Sequence, residues 1–80
     1  MERKEIIERV NNIVNDVLGV ETDAIKETSS FEQDLGADSL DIVDMLIKIE
    51  KEFEITINDE EAEKVETVGE VYDIVQRKMA

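Results

Sequence analysis

Apolar residues recur along this chain at the spacing of amphipathic helices. Between Ile6 and Leu18 they fall at positions i, i+1, i+4, i+7, i+8, i+11 and i+12, which lie on one face of a helix. Gly19 follows directly and is a natural helix stop. The pattern predicts a first helix that ends at Leu18.

The periodicity fades over residues 20–37, where Thr, Ser, Asp and Gly dominate. We predict a long loop, in which only Ile25, Phe31 and Leu35 reach inward. Loops of this length in a small domain are often functional or contain short structure of their own.

A second helix is predicted from Asp38 or Ser39 to about Phe53. Asp38 and Ser39 are N-cap candidates, and Asp41 would add a favourable negative charge in the first turn.

The C-terminal third of the chain predicts two more helices. Residues 55–57 have a brief strand-like pattern, but Asn58 followed by Glu61 is typical of a cap for a short helix over residues 59–64. Thr67 and Glu70 form a capping box ahead of a last apolar stripe that ends near Met79. We therefore predict an all-α four-helix bundle with a short third helix, as a single domain over residues 1–80.

Composition removes several classes of function. The formal net charge is -13, the wrong sign for neutralising the phosphates of a nucleic acid. The chain has no Cys and no His, so it lacks disulfides, thiolate metal sites and an imidazole base. No apolar run is long enough for a membrane span or a signal sequence, and we expect a cytoplasmic monomer that is not an enzyme.

The second helix has more apolar surface than one core contact needs. On a helical wheel, one broad face points to the core, and a second stripe lies about 120° away. The core face comprises Ile42, Met45, Leu46, Ile49 and Phe53, and the second stripe comprises Leu40, Val43 and Ile47. Asp41 and Asp44 border that stripe, and Glu50 lies between the two faces.

The second stripe has two interpretations. It is either a docking surface for other proteins, or it packs inward because a central helix is flanked on several sides. Helix geometry alone does not decide between them, and acids would border any feature of so acidic a chain.

Ser39 stands at the start of the second helix beside Gly36 and Ala37, two small residues that would let a bulky group approach. The ordinary interpretation is a capping serine, or a spectator beside a capping Asp38. Without a His to act as base, Ser39 is a poor nucleophile, but it is a plausible site for modification. A phosphate ester there would face the free N–H groups of the helix start.

A calcium loop is an alternative for the acids around Gly36. The EF-hand spacing is not met, because Gly36 follows Asp34 by two positions. No dedicated metal site is predicted.

Residues 31–41, which read FEQDLGADSLD, resemble the phosphopantetheine attachment segment of acyl carrier proteins. The similarity continues through Glu50 to Phe53, through Asn58 to Val65 and into Thr67 and Val68. It therefore covers nearly the whole chain. Asn58 departs from the Pro that family members often have there, and Lys51 interrupts an acidic run.

The resemblance implies that Ser39 holds 4'-phosphopantetheine, donated by coenzyme A through a phosphopantetheinyl transferase. The arm would bind acyl chains as thioesters and present them to fatty-acid synthesis enzymes that have basic docking patches. The resemblance also implies a partner surface, formed by Asp38, Leu40, Asp41, Val43, Asp44, Ile47 and Glu50. The acyl chain would be sheltered among Phe31, Met45, Leu46, Ile49, Ile57, Ala62, Val65, Val71 and Ile74.

Two alternatives remain open at this point. One is a carrier of the polyketide type. The sequence Gly-Ala-Asp-Ser resembles fatty-acid carriers more than peptidyl carriers, which is a separate distinction. The other is a cofactor-free acidic module that binds a basic partner.

Overall fold

Four α-helices account for most of the chain in a computed structural model that describes residues 1–80. They are α1 (Arg3–Leu18), α2 (Ser39–Phe53), α3 (Asp59–Lys64) and α4 (Val68–Met79). The predicted all-α arrangement, with a short third helix and a long loop between α1 and α2, is confirmed. None of the helices is long and apolar enough to span a membrane.

Local side-chain chemistry sets the start of three helices. Asp38, Asn58 and Thr67 are the N-caps of α2, α3 and α4, and each forms a reciprocal capping box with the residue three positions on. The helix α1 ends at Leu18, and the N–H of Gly19, the residue that follows, donates to the carbonyl of Asn15 at 2.8 Å. These boundaries agree with the sequence prediction to within a residue, except that α1 begins earlier, at Arg3.

The core lies where α1 packs against α2 and α4. Ile6, Val10 and Val14 of α1 are fully buried. The other helices bury Met45, Leu46, Ile49, Phe53, Val68, Val71, Tyr72, Ile74 and Val75. Because α3 contributes no buried residue, the bundle has three core helices and one peripheral helix.

The loop between α1 and α2 is ordered by its own contacts. It contains a short 3-10 turn over Thr22–Ala24. Ile25 and Phe31 are buried and Leu35 is half-buried, as predicted. Ser29, which the pattern did not single out, is buried as well, and its hydroxyl accepts a hydrogen bond from the N–H of Lys26 at 3.0 Å.

Three backbone hydrogen bonds join this loop to the connection between α3 and α4 and to the first turn of α4. They run from Phe31 N–H to Glu66 O at 3.0 Å, from Val68 N–H to Ser29 O at 3.0 Å, and from Gly69 N–H to Glu27 O at 2.9 Å. The approach at Gly69 is close enough that a Cβ there would lie 2.8 Å from the carbonyl oxygen of Glu27. A side chain at position 69 would therefore force the backbone to shift.

Residues 55–57 form no strand, although their pattern is briefly strand-like. Glu50 satisfies the backbone of this segment instead. Its carbonyl accepts from the N–H of Ile55 at 3.1 Å, and its carboxylate accepts from the N–H of Ile57 at 3.1 Å. The N–H groups of Ile55 and Ile57 are therefore satisfied without a strand partner.

Arg3 ties the start of α1 to the loop and to α4. Its guanidinium donates to the carboxylates of Glu27 at 2.6 Å and Asp73 at 3.0 Å, and lies 5.9 Å from the centre of the Tyr72 ring. The pKa of Arg3 is raised, first by the hydrogen bond to Glu27 and then by the one to Asp73. No local pattern in the sequence predicts this network, because it joins residues far apart along the chain.

Candidate functional site

Ser39 is the first residue of α2 and is exposed to solvent. The cap of the helix is Asp38: its carboxylate accepts from the N–H of Asp41 at 2.9 Å, and Asp41 returns the contact to the N–H of Asp38 at 3.2 Å. The hydroxyl of Ser39 makes no hydrogen bond within the protein. Of the two ordinary interpretations, the structure therefore agrees with the second: Asp38 caps the helix, and Ser39 lies beside it without a capping contact.

The backbone around Ser39 fits an anionic group. The N–H groups of Ser39 and Leu40 open α2 and find no backbone acceptor. A phosphate ester on the hydroxyl would lie beside these donors, at the positive end of the helix dipole.

The two small residues before Ser39 differ in their surroundings. Gly36 is exposed and has φ +69, and a side chain placed there would meet no atom within 4 Å. Ala37 is buried in the core, so the expectation that it leaves room for a bulky group is wrong. Of these two small residues, only Gly36 leaves the backbone open to the approach of a bulky group.

The second apolar stripe of α2 faces solvent. The side chains of Leu40, Val43 and Ile47 are 79%, 53% and 44% exposed, and the interpretation that they pack inward is wrong. On the core face, all the predicted residues are buried except Ile42, which is half-buried.

The acids expected around the stripe differ in their exposure and in whether they form hydrogen bonds within the protein. Asp38 and Asp44 are exposed, whereas Asp41 and Glu50 are half-buried. Asp41 is engaged in the capping box, and the Glu50 carboxylate holds the N–H of Ile57. Asp44 is therefore the acid on this face with no such structural duty.

A groove of about 390 Å³ begins beside Ser39 and runs between α2 and α3. It is lined by Glu32, Ser39, Ile42, Val43, Leu46, Asp59, Ala62, Glu63 and Val65. Three of the nine residues predicted to shelter an acyl chain are in that set: Leu46, Ala62 and Val65. Apolar side chains form its interior and carboxylates its rim.

The other six predicted pocket residues lie elsewhere. Phe31 lines a neighbouring cavity of about 310 Å³, and Ile74 lines a groove of about 510 Å³ between α3 and α4. Met45, Ile49, Ile57 and Val71 are buried in the core. Sequence reasoning missed the rim acids Glu32, Asp59 and Glu63, since nothing in the local pattern distinguishes them from other surface carboxylates.

The family model for the phosphopantetheine attachment site matches residues 8–75. The chain belongs to the phosphopantetheine-attachment family. The predicted resemblance is thereby confirmed, and the group that this family binds is 4'-phosphopantetheine.

Solved structures of family members agree with this assignment. An acyl carrier protein from Enterococcus faecalis is 33% identical with a TM-score of 0.82, and the alignment covers 98% of this chain and 99% of that one. A putative acyl carrier protein from Mycobacterium tuberculosis is 30% identical with a TM-score of 0.85. That alignment covers 90% of this chain and 96% of the other. This member of the phosphopantetheine-attachment family is an acyl carrier.

Proposed function

We propose that the chain carries 4'-phosphopantetheine on Ser39 and delivers acyl thioesters to the enzymes of dissociated fatty-acid synthesis. The observation that carries the proposal is an exposed hydroxyl with no partner in the protein, at a helix start whose first N–H groups are free. In a chain with no Cys and no His, the arm's terminal thiol supplies the reactive group.

The attachment step is a phosphoryl transfer. The oxygen of Ser39 bonds to the β-phosphorus of coenzyme A, the anhydride bond breaks, and 3',5'-ADP leaves. The hydroxyl proton goes to a base of the transferase, because no base in this chain contacts Ser39. The role of this chain is to present the hydroxyl, which the capping pair of Asp38 and Asp41 leaves free.

The partner surface is proposed to be the exposed stripe of α2. Leu40, Val43 and Ile47 would enter apolar patches on partner enzymes, while acids at its border meet Arg and Lys. Asp44 is the strongest candidate for such a pair, because its carboxylate makes no contact within the protein that would have to be broken. Exposed ion pairs contribute little affinity, so they mainly steer encounters and permit fast release, as a shuttle needs.

The acyl chain is proposed to shelter in the groove that begins at Ser39. Ile42, Leu46, Ala62 and Val65 give it an apolar lining. Each buried methylene gains roughly 0.8 kcal/mol, so several carbons can offset the cost of disturbing a thin core. The deeper residues of the predicted set, such as Met45 and Ile49, would line the pocket only if the groove extends into the core.

The Gly-Ala-Asp-Ser segment, which resembles fatty-acid carriers more than peptidyl carriers, supports the fatty-acid role, and the choice of partner enzyme separates that role from a polyketide one. We propose further that the carrier is a cytoplasmic monomer without catalytic activity of its own. No base of this chain hydrogen-bonds to the hydroxyl of Ser39, and its neighbours Asp38 and Asp41 are engaged in capping.

Loading is tested by incubating the protein with coenzyme A and a phosphopantetheinyl transferase, followed by intact-mass measurement. We expect one phosphopantetheine per chain, none on Ser39→Ala, and a normal increment on Thr56→Ala, which also removes an exposed hydroxyl. An unchanged mass for the wild-type chain would overturn the proposal. Partner binding that is indifferent to Ser39→Ala would instead favour an acidic module that works without its cofactor.

The synthesis pathway is tested by presenting the acylated protein to purified synthases. The proposal predicts elongation by a fatty-acid condensing enzyme and poor use by a polyketide condensing enzyme. The reverse preference would assign the carrier to polyketide synthesis and leave the role of Ser39 intact.

A further inference from the structure

The short helix α3 is weakly anchored to the rest of the molecule. None of its six residues is buried, and Ala62 and Glu61 are the ones that are half-buried. Ala62 is the only apolar residue of the helix and packs against the core, while buried Ile57 and Val65 anchor the chain before and after it. The exposed side of the helix that faces α4 has only polar contacts to fix its position.

Glu61 makes the polar contacts that connect α3 to α4. Its carboxylate lies 2.9 Å from Nη2 of Arg77 and 3.0 Å from Nζ of Lys78, both in the last turn of α4. The same carboxylate accepts the N–H of Asn58 at 3.2 Å and so completes the cap of α3. With only 20% of its side chain exposed, Glu61 is the most enclosed acid among the ion pairs of the chain.

The position of α3 affects two grooves at once. On one side, Glu61 and Arg77 line the groove of about 510 Å³ between α3 and α4. On the other side, Asp59, Ala62 and Glu63 of the same helix line the groove beside Ser39. A movement of α3 away from α4 or α2 must therefore change the space next to the attachment serine.

We propose that Glu61 is a positioning residue for the Ser39 groove: its contacts with Arg77 and Lys78 form a clasp that holds α3 as the groove wall. The inference rests on the proposed function in one respect, namely that the occupant of the groove is an acyl chain. Because ion pairs near the surface are individually weak, the clasp can open without unfolding the three core helices.

The substitution Glu61→Gln separates the clasp from the cap. Glutamine keeps an oxygen that accepts the N–H of Asn58, as capping boxes with Gln do, but it has no charge for Arg77 and Lys78. Glu60→Gln is the matched control. It removes the same charge from the same helix, and the ion pair of Glu60 is with Lys64 within α3, at 3.6 Å.

Amide hydrogen exchange of the full chain, without its arm, tests the clasp. We expect Glu61→Gln to accelerate exchange in residues 62–65 by about three- to tenfold, the range that such pairs support. Exchange in α1 and in the buried part of α2 should change no more than in Glu60→Gln. In 1 M salt the difference between the two variants should shrink, because screening weakens the pairs.

A mutant cycle tests whether the three residues act together: one arm is Glu61→Gln, the other is Arg77→Gln with Lys78→Gln, and the fourth corner combines all three substitutions. If Glu61 acts through the two cations, Glu61→Gln combined with Arg77→Gln and Lys78→Gln should exchange no faster than Glu61→Gln alone. Additive effects, or acceleration spread evenly over all helices, would overturn the proposal, because they indicate a general contribution to stability.

The effect on the groove is measured with a pantetheine arm that ends in an environment-sensitive fluorophore, loaded on Ser39. Glu61→Gln should shift its emission to longer wavelength than Glu60→Gln, because a looser wall shelters the probe less. Identical emission from both variants would overturn the link to the groove. A failure to load the arm would contradict the proposed function instead, while the exchange results would still decide the clasp.

Discussion

Asp38 and Asp41 each accept a hydrogen bond from the other's backbone N–H, at 2.9 and 3.2 Å respectively, and Ser39 lies between them in the sequence. The pair starts α2 with carboxylates alone and leaves the serine hydroxyl without a structural duty. The capping pair thus fixes the backbone around Ser39, the predicted site of modification, without forming a hydrogen bond to its hydroxyl.

Removing the cap should destabilise the fold. Asp38→Ala is expected to cost about 1 kcal/mol of unfolding free energy, whereas Asp38→Asn, which still caps, should cost little. Urea denaturation measures both. Asp44→Ala is the charge control, because Asp44 is exposed on the same helix and makes no capping contact. An equal loss for Asp44→Ala and Asp38→Ala would contradict the capping role.

Two neighbouring isoleucines of α2 should separate docking from stability. Ile49 is fully buried, so Ile49→Ala should lower the unfolding free energy by about 2–5 kcal/mol. Ile47 is 44% exposed, and Ile47→Ala should leave stability nearly unchanged. If Ile47 is an anchor of the partner surface, kcat/KM of a partner enzyme should fall about fivefold or more, since such truncations cost over about 1 kcal/mol. Unchanged kinetics with Ile47→Ala would remove it from that surface.

Gly69→Ala should destabilise the protein despite the better helix propensity of alanine. Propensity alone would favour alanine by about 1 kcal/mol. The new Cβ would lie 2.8 Å from the carbonyl oxygen of Glu27, and the backbone must shift to relieve it, at a typical cost of about 1–3 kcal/mol. Thermal unfolding decides the sign, and a raised melting temperature would show that the loop can move aside.

The contribution of Glu61 to stability should depend on pH. The hydrogen bond from Lys78 is the main cause that holds the pKa of Glu61 below its ordinary range, followed by the one from the Asn58 backbone. A carboxyl with a lowered pKa in the folded state stabilises that state above its unfolded pKa. The contribution is lost as the pH falls through the folded pKa.

Acidification also protonates the other carboxylates of this acidic chain and so reduces the repulsion among them. The difference between wild type and Glu61→Gln isolates the contribution of Glu61 from that general effect. The difference in unfolding free energy should be constant near neutral pH and should decline as the pH falls below about 4.3, the ordinary value for Glu. A difference that grows with acidification would contradict the assignment.

The helices were predictable because their signals are local. Capping boxes and apolar stripes lie within a few residues of each boundary, so the starts at Ser39, Asp59 and Val68 follow from short segments. The periodicity of α2 also located the second stripe, although only the structure decided that Leu40, Val43 and Ile47 are exposed.

The features that sequence reasoning missed depend on distant contacts. The Arg3 network joins residues up to 70 positions apart, and the hydrogen bond of Gly69 crosses from the loop to α4. The groove wall likewise depends on where α3 lies, and the contacts of Glu61 with Arg77 and Lys78 join residues that are 16 and 17 positions apart. For the same reason the predicted acyl pocket mixed groove residues such as Leu46 with core residues such as Ile49.

The most direct test of the account is tandem mass spectrometry of peptides from the protein after loading with coenzyme A and a phosphopantetheinyl transferase. The account predicts a single phosphopantetheine on the peptide that contains Ser39, with fragment ions that place it on that residue. The group on any other residue, or an unmodified Ser39 peptide after full incubation, would contradict it.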